Sequence, residues 1–165
     1  MKTWKEDNLL GRVREDRKKI AKEYKEKVVA RDKKHLIKLI VERINEFGYR
    51  CDLNDIDVSH ITNMSGLFWV GSLYKFNGDI SQWDVSNVKN MAGMFELSRF
   101  NGDISKWDVS NVEDMSQMFM GARFKGDISN WDVSNVKHMN NMFTNSSLKG
   151  NEPDWYTKRY RKRAF

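Results

Sequence analysis

One proline, one cysteine and three histidines in 165 residues leave little room for several kinds of chemistry. The lone Cys51 excludes an internal disulfide and a cysteine-only metal cluster. His35, His60 and His138 are scattered, with no cysteine or carboxylate at metal-ligand spacing. There is no phosphate-cradling glycine-rich loop, and no nucleophile has a base nearby in sequence. The sequence therefore offers no catalytic residue, no metal site and no cofactor, and an enzyme is the least favoured reading. No apolar run reaches the length of a membrane span. The N-terminus MKTWKEDNLLGR lacks an apolar signal core, which places the chain as given in the cytoplasm. A cell-surface location would require a leader removed beforehand.

What is present is repetition. From Phe76 a 24-residue unit is written three times: FNGDISQWDVSNVKNMAGMFELSR, FNGDISKWDVSNVEDMSQMFMGAR from Phe100 and FKGDISNWDVSNVKHMNNMFTNSS from Phe124. Fourteen of the 24 positions are identical in all three. Apolar residues recur in register at Phe76, Ile80, Trp83, Val85, Val88, Met91, Met94 and Phe95 and at their equivalents. No such unit can bury its own apolar set, so neighbours must stack into a continuous core. The expected architecture is an α+β solenoid of about four coils. Gly78-Asp79-Ile80 and its copies are expected as a short strand after a turn at Asn77-Gly78. Met91, Met94 and Phe95, at i, i+3 and i+4, are expected as one helical turn. Asn87, Asn111 and Asn135, with Ser86, Ser110 and Ser134, should bond the backbone at a corner closed to water.

The flanks divide the chain into a basic helical region with an N-terminal cap at 1–50, a solenoid at 51–155 and a basic tail at 156–165. Residues 1–50 carry 16 Lys and Arg against 9 acids, residues 51–150 carry 8 against 12, and residues 151–165 carry 5 against 2. An acidic block thus lies between two basic ends. Met1 to Ala30 reads as a charged helix with a thin apolar stripe. Asp32 to Phe47 reads as a helix with Asp32 as N-cap, Gly48 as C-terminal stop and an apolar face of Leu36, Ile37, Ile40, Val41, Ile44 and Phe47. It is expected to cover the open end of the first coil. Cys51 to Tyr74 reads as a degenerate coil followed by a longer, apolar loop containing Trp69, Leu73 and Tyr74. At the other end, Leu148 to Trp155 keeps the repeat register, and Glu152 and Pro153 should block further strand addition. Tyr156 to Phe165 carries Lys158, Arg159, Arg161, Lys162 and Arg163.

The run DISxWDVSNVxxMxxMF, from about Leu53 to Trp155, resembles the leucine-rich-repeat units of the BspA-like surface-protein family. The resemblance implies a right-handed, leucine-rich-repeat-like solenoid and a role in binding rather than catalysis. Its members commonly engage host proteins or other cells. From the residues themselves, the candidate partner-binding surface is the face carrying Asp79, Asp103 and Asp127, flanked by Asn77, Asn101 and Lys125. Trp69 and Tyr74 of the apolar loop form a second candidate surface. The competing role for the aspartates is local, since Asp beside Gly or Ser at a turn usually bonds its own backbone. Calcium along an aspartate ladder would need ligands from several directions. A protein partner is the leading expectation. The alternative is an acidic mimic of nucleic acid acting on a nucleic-acid-handling complex, possibly from a mobile element. Direct nucleic-acid contact through the basic ends is weaker.

Overall fold

The computed structural model describes residues 27–161. Its regular elements are β1 (Val28–Val29), α1 (Lys33–Phe47), β2 (Ile56–Asp57), a 3-10 turn (Leu73–Lys75) and α2 (Asp154–Arg161). Most of the chain between them is built from turns. Equivalent residues of successive units are joined across the stack by isolated parallel bridges, Asn90 to Asp114 and Asp114 to His138 between 24-residue units and Asn63 to Asn90 from the longer first one.

α1 forms because Asp32, in extended conformation, accepts the amide of His35 through Oδ1 at 2.7 Å. Gly48 ends it with a φ of 83°, a left-handed value that costs glycine nothing, and its N–H reaches the Ile44 carbonyl. Leu36, Leu39, Ile40 and Ile44 are buried in the same core as the repeats, each contributing about 1.5–3 kcal/mol. The buried face is rotated from the expected one: Leu39 is inside, whereas Val41 and Phe47 are 38% and 47% exposed. Arg43 is also buried, and its Nη2 donates to Asp55 Oδ2 at 2.6 Å, pinning α1 to the first unit.

The charged helix expected at 1–30 lies mostly outside the described residues, but its end is not helical. Val28–Val29 pairs in parallel with Ile56–Asp57, and Val28 and Ala30 donate to the carbonyls of Asp55 and Asp57. Two adjacent β-branched residues favour the extended backbone that this edge requires.

The core is a zipper of aromatic columns. Phe68, Phe95, Phe119 and Phe143 stack with centroids 5.4, 5.6 and 5.8 Å apart. Phe76, Phe100 and Phe124 form a second column at 6.1 and 6.3 Å. The columns interlock through Phe95–Phe100 and Phe119–Phe124 at 4.5 and 4.6 Å. The tryptophans make a third column with a polar purpose: the buried indoles of Trp83, Trp107 and Trp131 donate to the carbonyls of Leu53, Ile80 and Ile104. Trp155 repeats the rung with Ile128 at 3.0 Å.

Two local expectations are corrected. Met91 to Phe95 is not a helical turn. Gly93, Gln117 and Asn141 have φ of 61°, 60° and 58°, and Leu97, Gly121 and Asn145 have 54°, 65° and 55°, values incompatible with a right-handed helix. The chain instead makes consecutive turns, with Met94, Glu96 and Ser98 donating to Met91, Gly93 and Phe95. The intervening amides of Met91, Gly93, Phe95 and Leu97 leave the unit and meet the carbonyls of Asp114, Ser116, Met118 and Met120 in the next. Gly78 to Ile80 is not a strand repeated in every unit either. Asp79 bridges Asp52, but at the next two units the amides of Asn101 and Lys125 bond the side-chain oxygens of Asn77 and Asn101 at 2.8 and 2.7 Å. Side-chain acceptors there stand in for a backbone ladder. The chain bends at Gly78, and close approach also requires glycine there: a Cβ on it would lie 2.0 Å from the Cys51 carbonyl.

The ends differ. On the first unit, the Ser65 carbonyl occupies the position that in later units accepts an amide from the preceding one. Lys33 Nζ of α1 fills it, bonding the Ser65 carbonyl and also Ser65 Oγ. On the last unit, α2 begins at Asp154 while Trp155 still keeps the tryptophan rung, and Phe143 meets Tyr156 edge-on at 4.8 Å.

Candidate functional site

In each unit the core phenylalanine is flanked by two outward residues. Arg99 and Asn101 are exposed on either side of buried Phe100, and Arg123 and Lys125 flank buried Phe124 in the same way. This out-in-out alternation is fixed from both sides. Arg99, Arg123 and Ser147 donate their amides to the carbonyls of Tyr74, Ser98 and Ala122 one unit earlier. Asn101 and Lys125 donate to the asparagine side chains described above. The result is two parallel columns of side chains bordering a groove of about 670 Å³.

One wall column is Lys75, Arg99, Arg123 and Ser147, and the other is Asn77, Asn101 and Lys125, while Tyr49 and Arg50 close the end near α1. Four of the eight Lys and Arg residues between positions 51 and 150 are therefore gathered on one surface of an otherwise acidic block. No carboxylate lines it. Among the described residues none of the five cations forms an ion pair; Lys75 instead lies 5.8 Å from the rings of Tyr49 and Tyr74. Five unneutralised charges across three units make a surface for anions.

The aspartates proposed from the sequence behave differently from their neighbours. Asp79, Asp103 and Asp127 are exposed, but each uses Oδ1 to accept the amide two residues on, from Ser81, Ser105 and Ser129, at 2.9 Å. Those backbone bonds are the main reason that all three carboxyls are held below the usual aspartate range. Asp84, Asp108 and Asp132 make the same local turn with Ser86, Ser110 and Ser134. The asparagine corner is also a ladder: Asn87, Asn111 and Asn135 donate Nδ2 to the carbonyls of Ser59, Ser86 and Ser110. All three asparagines are exposed, so this corner is open to water rather than closed to it.

Of the predicted flanking set, Asn77, Asn101 and Lys125 do come together, on the groove. The apolar loop splits: Leu73 enters the core, Tyr74 is half-buried and Trp69 is 54% exposed beside exposed Val70. In the basic tail, Lys158 pairs with Asp154 at 3.0 Å, and Arg159 and Arg161 fall on α2, so the tail is helical as far as Arg161. Lys162 and Arg163 lie outside the described residues. Among the described residues no group of three or more His, Cys, Asp or Glu is arranged to hold a metal ion. His35 Nδ1 accepts from the Arg31 amide, His60 contacts Ser59 Oγ, and the His138 carbonyl accepts from Met115.

Residues 37–157 match the family described as Mycoplasma protein of unknown function, DUF285. The chain belongs to that family. The matched span runs from α1 to α2 and includes every residue of the groove. No curated protein and no solved structure matches the chain. No described helix is long and apolar enough to cross a membrane.

Proposed function

We propose that this member of the DUF285 family is a non-catalytic protein-binding module, a leucine-rich-repeat-like, right-handed solenoid of the BspA-like kind, capped at its N-terminal end by α1. The observation that carries the reading is the groove at Tyr49–Ser147, which crosses successive units and is built from residues whose backbones are already fixed. Binding to such a surface orders little that is not ordered beforehand, which lowers the cost of association. The expected partner surface moves with it. The aspartates are engaged in turns, so the contact face is the neighbouring cationic groove, with Asn77, Asn101 and Lys125 kept from the original set. The alternative of an acidic nucleic-acid mimic is disfavoured because the groove is lined by cations and by no carboxylate.

A photo-cross-linking amino acid substituted at Lys125, with a control at exposed Lys137 on another part of the unit, tests the reading. The expected result in extracts of the source cells is a discrete protein adduct at position 125 only, competed away by excess unlabelled chain. Equal adducts at both positions, or adducts to nucleic acid alone, overturn it.

A further inference from the structure

Resting on that reading, we infer that the groove's occupant is an extended acidic segment of the partner protein, carrying Asp or Glu at every second residue and lying along the stack. Three properties of the groove carry this. The first is charge: Arg50, Lys75, Arg99, Arg123 and Lys125 face it without an acidic counterpart among the described residues. The second is spacing. Arg99 and Arg123 bond the carbonyls of Tyr74 and Ser98, the residues before Lys75 and Arg99, so the cations of this wall repeat at the backbone-pairing distance of about 4.8 Å, and the buried rings of Phe76, Phe100 and Phe124 at 6.1 and 6.3 Å. Side chains on one face of an extended chain recur every two residues, about 6.6 Å. One carboxylate per unit then drifts from Lys75, Arg99 and Arg123 by about 1.8 Å per unit, a distance over three units that the long basic side chains absorb.

The third property is the hydrogen-bonding character of the walls. Asn77 and Asn101 commit Oδ1 to the amides of the next unit, which leaves each Nδ2 as a donor. With Arg and Lys as pure donors, the groove offers N–H groups almost exclusively. An extended segment supplies both matching acceptors, side-chain carboxylates for the cations and free backbone carbonyls for the asparagines. A helix has its carbonyls internally bonded and supplies only the first. A single-stranded nucleic acid is also rich in acceptors, but it gains affinity from a row of aromatic side chains. The groove contributes one ring, Tyr49.

The test measures fluorescence anisotropy of the full chain with labelled 11-residue peptides at low and moderate salt. One peptide alternates Asp with Ser; a second has the same composition with its aspartates in one block; a single-stranded oligothymidine of equal charge is the third ligand. The alternating peptide should bind at least about 5-fold more tightly than the blocked one. Arg99→Gln/Arg123→Gln should weaken it about 10-fold at low salt, as expected for two partly exposed ion pairs. Lys106→Gln/Lys137→Gln, which removes two cations elsewhere, should leave it unchanged. Equal binding of both peptides overturns the extended register, and tighter binding of the oligothymidine overturns a protein segment as occupant. Absence of any peptide binding, with a specific protein adduct still formed at position 125, overturns this inference and leaves the protein-binding reading standing. Failure of both experiments removes both.

Discussion

Trp107→Phe separates two contributions that the tryptophan column makes at once. The ring of Trp107 is 4% exposed, 6.5 Å from Trp83 and 6.3 Å from Phe95, and its N–H meets the Ile80 carbonyl at 3.2 Å. Phenylalanine keeps a ring in the column but has no donor. The buried Ile80 carbonyl then keeps only the amide of Trp83, and losing its second bond costs about 0.5–1.5 kcal/mol. The smaller ring forfeits roughly another 1 kcal/mol of burial. The sum, about 1.5–2.5 kcal/mol, lowers Tm by roughly 3–10 °C in a chain of this size. Trp107→Ala should cost about 3–5 kcal/mol, lost burial and cavity together. Trp155→Phe makes the informative contrast. Its indole is only half-buried, so water can replace the lost donor, and the cost should stay near about 1 kcal/mol. Urea unfolding followed by far-ultraviolet circular dichroism is the suitable assay, because fluorescence would lose its reporter with the substitution. If Trp107→Phe and Trp155→Phe shift the midpoint equally, the interior carbonyls do not depend on the indoles and the reasoning fails. If Trp107→Ala melts like the parent, the column is not part of the core.

Four further outcomes follow from local geometry. Gly102→Ala places a Cβ 2.8 Å from the Phe100 ring and 3.0 Å from the Gly78 carbonyl, and should cost about 1–3 kcal/mol in chemical denaturation. Gln117→Gly relieves a φ of 60° at a position where the equivalent residue is Gly93; it should stabilise by up to about 1 kcal/mol, and a loss of stability refutes the strain argument. Lys33→Met leaves the Ser65 carbonyl without its donor and should cost about 1–3 kcal/mol, measured as the loss of urea midpoint at constant slope. Asp79, Asp103 and Asp127 are depressed below 3.8 in the folded chain, so the unfolded chain binds protons first as pH falls. Their stabilisation is complete above that value and is lost as pH drops through the folded values; Asp79→Asn/Asp103→Asn/Asp127→Asn should flatten the decline of Tm below about pH 4, and an unchanged acid profile contradicts the assignment.

Much of the packing was legible because a period of 24 leaves no ambiguity about which residues are equivalent. Phe76, Trp83, Val88 and Met91 and their copies are buried as their register requires, and Asp32 and Gly48 bracket α1 as their capping chemistry requires. The path of the backbone inside a unit was less legible. Met91, Met94 and Phe95 fit helical spacing, but Gln117, Asn141 and Leu97 hold left-handed φ values that no residue pattern announced; only Gly93 and Gly121 hinted at them. Inter-unit bonding, which exists only once neighbours stack, outweighed local helical preference there.

The groove escaped for a different reason. Lys75, Arg99 and Arg123 precede the core phenylalanines at the same 24-residue interval, yet they are not identical, and the fourth equivalent is Ser147. Attention to invariant positions selected the aspartates, whose invariance reflects turn chemistry with Ser81, Ser105 and Ser129. The informative signal was conserved charge in a variable position within the chain's own repeats. Asn77 and Asn101 were found, although their bond to the following unit was not foreseen.

The two directions in which amides leave each unit have an electrostatic consequence. Met91, Gly93, Phe95 and Leu97 point their N–H groups toward the next unit, whereas Lys89, Asn90, Arg99 and Asn101 point theirs toward the preceding one. In an α-helix all peptide dipoles align and the ends acquire opposite partial charges. Here four dipoles oppose four, and the backbone field along the stack largely cancels. The potential at the groove is then dominated by its side chains. Each added unit of the Phe124 type would contribute two positive charges without any opposing axial field, so a longer stack would gain attraction for an acidic segment in proportion to its length.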